Sequence, residues 1–264
     1  MIAVMNADDA VTIPDRIDPA RAEAWLAMLG EAGSVDVGAV LPPFAHWAYF
    51  WQPVPGELLG TDGHVAQGMG APLSRLPLRM WAGGRVKWHA PFRAGVVAKK
   101  VSRAIGVTRK SGRSGQLDFV TMRHEVFQRG ALLLSEDQDI VYRGESSAPA
   151  EGPIETGEAD ERRPLRLDAP FLFRFSALTF NAHRIHYDAQ YATDAGYAGC
   201  VVHGRLLATM LAMFAKAHRG TLNSFSFRAT APLVLGDVAW LCRAGDRYWV
   251  EGPRRRISMT AEAQ

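Results

Sequence analysis

The chain has 264 residues, 48% hydrophobic and 22% charged, with 30 Lys and Arg against 27 Asp and Glu for a formal net charge of +3. That length can bury one large core or two small ones, and so mild and evenly spread a positive excess does not argue for a nucleic-acid partner. Two cysteines, Cys200 and Cys242, make no disulfide framework, the N-terminus does not resemble a signal peptide, and no apolar run nears the ~18 residues of a membrane span; the expectation is a cytoplasmic protein without a membrane partner.

Residues 17–32 place Ala20, Ala24, Trp25, Ala27, Met28 and Leu29 at helical spacing and close on Gly30, which predicts a helix. An aromatic run containing Trp47, Tyr49, Phe50 and Trp51 precedes a Gly/Pro-rich stretch, 53–77, expected to wrap the core as a loop. From Met80 onward the pattern turns to strands at 96–106, 118–129 and 131–142, with a polar turn over 109–116. Residues 145–164 are acidic and rich in Pro, Gly and Ser, and read as a linker between a first half, 1–144, and a second, 165–264.

In the second half, 171–175 reads as a short apolar strand. Asp188 fits as the cap of a short helix, 189–195, ended by Gly196. Residues 204–218 carry Leu206, Leu207, Met210, Leu211, Met213 and Phe214 on one broad face and stop at Gly220, as a buried helix would. Strands are expected at 224–230, 236–244 and 247–252. One internal echo links the halves: Ala90-Pro91-Phe92-Arg93-Ala94-Gly95 matches Ala231-Pro232-Leu233-Val234-Leu235-Gly236, 141 positions later. Its placement on either side of the linker points to duplication of an α+β unit.

The chemistry concentrates in two segments. Residues 179–188 bring Asn181, His183, Arg184, His186 and Asp188 onto one polar loop, and Val201-Val202-His203-Gly204 runs from an apolar stretch into a helix that opens on glycine. Such a helix start offers backbone N–H groups and a positive dipole end to an anionic oxygen. His186 can take a proton from a water that Asn181 orients. The His183-x-x-His186-x-Asp188 spacing uses residue types that zinc accepts, but Arg184 would crowd a cation and the helical H-E-x-x-H pattern is missing, so no metal is assigned. No G-x-S-x-G turn is present and neither cysteine has a local base, which disfavours an acyl-enzyme.

The segments FRFSALTFNAHRIHYD and GYAGCVVHGRLLATML, with Arg79-Met80-Trp81-Ala82-Gly83-Gly84 and His89-Ala90-Pro91 in the first half, resemble the MaoC-type hotdog hydratases. The likeness is to the branch of mesaconyl-C(4)-CoA hydratases and hydroxyacyl-thioester dehydratases type 2. It implies an α+β double hotdog: two curved antiparallel sheets, each wrapped around a helix, joined into one continuous sheet. The first half would be non-catalytic and the second catalytic. It further implies reversible hydration of 2-enoyl thioesters, an acyl-CoA substrate, no cofactor beyond the CoA of that substrate, and relatives that often form homodimers.

By position, His186 falls on the catalytic histidine of that family and Gly204 on the glycine whose amide serves the thioester oxygen. Asn181 stands where most members have a catalytic aspartate, so acid–base work would rest on one titrating group. His183 falls where the family has asparagine and Arg184 where it has proline. His183, Arg184, His203 and Trp81 are expected substrate contacts. Arg184 suits a free carboxylate on a dicarboxylic acyl group, or else a salt bridge to Asp188. Lys99, Lys100, Arg103, Arg109, Lys110 and Arg113, or Arg254 to Arg256, would serve as a basic rim for CoA or as solvated surface. Trp47, Tyr49, Phe50, Trp51 and Trp81 would line an acyl pocket or pack the core. A thioesterase, a dehydratase of fatty-acid synthesis and a non-catalytic acyl-CoA-binding module are the alternatives.

Overall fold

A computed structural model describes residues 10–264 apart from 32, 66–73, 75, 77, 113–114 and 145–150. Arg113 and parts of the expected 53–77 loop and 145–164 linker therefore lie outside the described residues. The chain divides into two compact units, one of Met1–Leu41 with His46–Ser147, the other of Pro42–Ala45 with Ala148–Gln264.

The first unit holds β1 (Val11–Asp15), helix α1 (Pro19–Met28), β2 (Leu78–Trp88), β3 (Ala98–Gly112), β4 (Gly115–Gln128) and β5 (Ala131–Arg143). Its strands pair antiparallel in the order β1-β3-β4-β5-β2. The expected turn over 109–116 is much tighter than its composition suggested. β3 runs to Gly112 and β4 starts at Gly115, so Arg109 and Lys110 are paired strand residues opposite Asp118 and Leu117. On β5, Leu134, Glu136, Gln138 and Ile140 are buried at every second position, the period of a strand with one face in the core. The Glu136 carboxylate is satisfied there by the indole N–H of Trp47 at 3.0 Å, the amide of Gln138 at 2.8 Å and the His46 ring at 2.9 Å.

The second unit contains β6 (Glu161–Leu165), three helices α2 (Ala169–Thr179), α3 (Ala189–Asp194) and α4 (Gly204–Arg219), then β7 (Ser224–Ala229), β8 (Ala239–Ala244), β9 (Arg247–Glu251) and β10 (Ile257–Ala263). Its strands pair antiparallel in the order β6-β8-β9-β10-β7. α4 packs on β7, β8, β9 and β10, burying Leu206, Leu207, Leu211 and Phe214. The short strand expected at 171–175 is instead part of α2. Alternating Phe171, Phe173 and Phe175 mimic a strand period, but Phe173 is 68% exposed while Leu172, Phe175 and Ser176 are buried, the i, i+3, i+4 spacing of a helix. Asp168 starts α2 by accepting the Phe171 N–H at 2.8 Å, and Pro170 lies in its first turn. Asp168→Ala is expected to lower stability by about 1 kcal/mol, read as a shift of the urea midpoint.

From Glu151 on, the expected linker is tied to the second unit by ion pairs. Arginines opposite it hold its acids: Arg247 pairs with Glu155, Arg256 with Glu151, and Arg243 with Asp160 and Glu161. The Arg247 guanidinium keeps the Glu155 carboxyl below its usual range. Residues 161–165 then form β6 rather than linker. Cys200 and Cys242 carry no disulfide; Cys242 is buried, which pushes its thiol up to about 11, and Cys200 is half-buried. Among the described residues no helix is long and apolar enough to cross a membrane.

The two strand orders are the same permutation, first-third-fourth-fifth-second, as duplication of one unit requires. The Ala-Pro echo lies between second and third strands in both. Its backbone bonds repeat too: Leu41 N–H donates to Phe92 O at 2.8 Å, as Val202 N–H does to Leu233 O at 2.8 Å. A second echo escaped the sequence reading: Pro14-Asp15-Arg16-Ile17-Asp18 and Pro164-Leu165-Arg166-Leu167-Asp168 each lead from first strand to helix cap. One position breaks the parallel. Two residues past Val202 stands Gly204, opening the 16-residue α4; two past Leu41 stands Pro43, which has no N–H, followed by a four-residue 3-10 turn, Ala45–Ala48.

Candidate active site

α2 delivers the polar loop. It ends on Phe180, whose φ of 51° puts it in the left-handed region, and the Asn181 N–H closes the end by donating to Ser176 O at 2.8 Å. The Asn181 Oδ1 then accepts the His183 N–H at 3.0 Å. Because a carboxamide oxygen is used there, the Nδ2 group is left as the donor end of Asn181.

A 3-10 turn, Arg184–His186, follows and is tied twice to one residue of the strand-like run before α4. Val201 N–H donates to Ile185 O at 2.8 Å, and the Val201 carbonyl accepts from His186 Nδ1 at 2.7 Å. A carbonyl only accepts, so the His186 proton sits on Nδ1 and Nε2 carries the lone pair. Two residues beyond Val201, His203 is the residue before α4 and makes no side-chain bond to the helix's first N–H groups. The Gly204 amide is the first of the helix and has no carbonyl one turn earlier to serve. No acid lies in the first turn of α4, while Lys216, His218 and Arg219 lie in its last. The negative end of the dipole is thus offset by the chain's own cations, and the positive end is left to an anionic guest.

The rings of His186 and His203 are stacked, 3.7 Å between centroids and 21° between planes. His183 stands edge-on to His186 at 5.4 Å. Ser176 Oγ is 2.8 Å from His203 Nε2, and the Phe175 ring lies 4.9 Å from the His203 ring. Burial, then the positive potential of His186, His183 and Arg205, holds the His203 pKa well below 6.5. Below pH 6.5 the unfolded chain therefore binds a proton at position 203 that the folded chain refuses. Stability should fall as the pH drops beneath 6.5, by at most about 1.4 kcal/mol per pH unit from this group. Urea midpoints between pH 7 and pH 5.5 check this, and the slope should flatten when His203 is replaced by an apolar residue.

Among the sequence-predicted residues, the fold gathers His183, His186 and His203 around the entrance to α4, with Asn181 on the same loop. Arg184 takes the salt-bridge alternative: its Nη2 is 2.7 Å from Asp188 Oδ2, and its guanidinium lies over the Tyr191 ring at 4.4 Å. Asp188 caps α3 by accepting the Tyr191 N–H at 3.0 Å, and that bond followed by the Arg184 contact keeps its carboxyl below its usual range. Trp81 belongs to the first unit, on β2, where its ring meets that of Trp47 edge-on at 6.0 Å. Trp47, Tyr49 and Phe50 are core residues. Of the basic candidates, Arg103 faces Glu125, Arg109 faces Asp118, Arg255 faces Glu251, and Lys99 and Lys110 lie over Phe127 and Phe119. Sequence reasoning missed Ser176 and the Val201 carbonyl. Reading α2 as a helix would have put Ser176 on its buried face with Leu172 and Phe175.

The family profile of hydroxyacyl-thioester dehydratase type 2 matches residues 44–235. The chain belongs to that family. It is 41% identical over 262 residues to mesaconyl-C(4)-CoA hydratase of Chloroflexus aurantiacus, covering 96% of this chain and 94% of that one. Among solved structures, a MaoC-like dehydratase from Phytophthora capsici superposes with a TM-score of 0.69 at 11% identity, over 97% of this chain and 95% of the other. A Mycobacterium tuberculosis protein described as a double hotdog does so at 0.61 and 13%, over 98% and 96%. The fold is accordingly an α+β hotdog architecture, and the chain is a hydro-lyase of acyl thioesters.

Proposed function

We propose that this hydro-lyase reversibly adds water across the double bond of a 2-enoyl-CoA to give the 3-hydroxyacyl-CoA, with the second unit as the catalytic one. The observation that carries the reading is the 2.7 Å bond from His186 Nδ1 to the Val201 carbonyl, which leaves Nε2 as a base beside the start of α4. In hydration, the water oxygen bonds to the β-carbon while its proton passes to His186 Nε2. Electron density moves to the thioester oxygen, which the Gly204 amide and the helix dipole stabilise; one such donor is typically worth about 3 kcal/mol. The proton held on Nε2 then goes to the α-carbon, and dehydration is the same path reversed. Asn181 Nδ2–H orients the water. Every step is proton transfer and addition, so CoA enters only as part of the substrate. Pro43, standing in the first half of the sequence where the duplicated pattern would put the glycine, has no N–H and so offers no equivalent amide.

The acyl group we favour is short and branched or dicarboxylic, of the mesaconyl or itaconyl type, supported by the 41% identical relative whose name specifies mesaconyl-C(4)-CoA. A thioesterase would need a carboxylate to direct water at the carbonyl carbon. The position open for one is Asn181, and Asp188 is occupied by Arg184 and the α3 cap. Incubation with mesaconyl-CoA and with crotonyl-CoA, followed by mass analysis of the intact thioester, tests the reading. Gain of one water with CoA retained is the expected result. Free acid with free CoA, or no change in either substrate, would overturn it.

A further inference from the structure

We propose that His203 is a positioning residue, the buried flat ring against which the catalytic His186 is held so that its Nε2 edge meets the water in one orientation. This rests on the hydratase reading of the site. A hydrogen bond from Nδ1–H to a carbonyl fixes where the ring is tied but not the tilt of its plane about that bond, on which the direction of Nε2 depends. A second ring at 3.7 Å and nearly parallel fixes that tilt.

His203 is itself fixed from α2, through Ser176 Oγ at 2.8 Å and the tilted Phe175 ring at 4.9 Å. Neither of its nitrogens is placed to meet a substrate. Nε2 is taken by Ser176, Nδ1 is buried and without a hydrogen-bond partner, and the residue is 2% exposed. Nor does it relay protons to His186, because ring nitrogens exchange protons within the ring plane and these two rings lie face to face. What remains useful is its face. The expected substrate contact at this position becomes an indirect role, running from α2 through His203 to His186.

Two variants separate the face from the nitrogens. His203→Leu removes the ring; with small displacements able to cost up to ~100-fold, kcat should fall by about 10- to 100-fold with KM little changed. The double variant Ser176→Ala/His203→Phe removes the hydroxyl–nitrogen pair together but keeps an aromatic face, and should hold kcat within about threefold of the parent, since replacing both partners of a buried hydrogen bond is close to neutral. Nitrogen-15 spectra of histidine-labelled protein supply a readout that needs no turnover: His186 should keep its Nδ1–H form in all three proteins, with resonances sharp in the parent and double variant and broadened by ring motion in His203→Leu. If leucine unfolds the chain, Ser176→Ala alone should still lower kcat severalfold at constant KM. A folded double variant as impaired as His203→Leu, or a His203→Leu protein with parental kcat and His186 spectrum, overturns the proposal. If the parent hydrates no enoyl thioester, the function assigned above fails instead, and the spectra alone judge the positioning.

Discussion

His186→Ala is expected to lower the rate of enoyl-CoA hydration by about 10²–10⁴-fold while the chain stays folded, the span a positioned general base usually contributes. The magnitude follows from there being one base. Nδ1 is committed to Val201 at 2.7 Å, so in the proposed mechanism the water's proton goes to Nε2, and residue 181 is an asparagine rather than a carboxylate that could share the load. The structural consequence is much smaller. The Val201 carbonyl loses its partner and the His203 ring its stacked neighbour, a cost of about 1–3 kcal/mol, and the Val201–Ile185 backbone bond at 2.8 Å still holds the loop. Circular dichroism and a urea midpoint establish that the variant is folded; initial rates at saturating mesaconyl-CoA or crotonyl-CoA give the effect. Near-parental turnover in a folded His186→Ala protein would remove the base from the mechanism.

Where periodicity and punctuation agreed, the sequence was legible. α4 was bounded by Gly204 and Gly220 with a broad apolar face, and α3 by Asp188, and both lie where expected. Strands β3, β4 and β5 were visible as β-rich runs, and β2 only as the onset, at Met80, of the strand-like region. Errors arose where composition imitated another state. The Phe171-Leu172-Phe173-Arg174-Phe175 alternation suggested a strand because nothing local reveals that Phe173 faces outward. The acidic stretch before β6 resembled a free linker because its partners, Arg243, Arg247 and Arg256, are 83 to 105 residues away and no local pattern announces them. Strands β1 and β10 were missed because a short edge strand and a Ser/Thr/Ala-rich segment carry little hydrophobic period. For the site, the chemical types on the polar loop stood out, and the resemblance supplied their roles. What sequence could not supply was direction: that Arg184 turns to Asp188, that His203 lies flat on His186, and that a main-chain carbonyl sets the tautomer.

Asn181 provides the second large effect, and its two replacements should diverge. Asn181→Ala removes the donor that orients the water and also the acceptor that holds the His183 N–H at 3.0 Å. A misplaced nucleophile costs about 100-fold, so kcat should fall by that order with the acid limb of kcat/KM unmoved, since no charge has changed. Asn181→Asp keeps the acceptor and exchanges the donor for a carboxylate on the loop that carries His186. A nearby anion favours the protonated imidazole, so the limb should move to higher pH, and a second ionisation should enter at lower pH as the carboxyl itself titrates. Measuring kcat/KM against pH for the three proteins separates orientation from charge. An alanine variant with parental kcat would mean that the amide does not hold the water. An aspartate variant whose profile overlays the parent would place residue 181 too far from His186 to share its chemistry, and the single-base mechanism would then rest on His186 and the α4 amide alone.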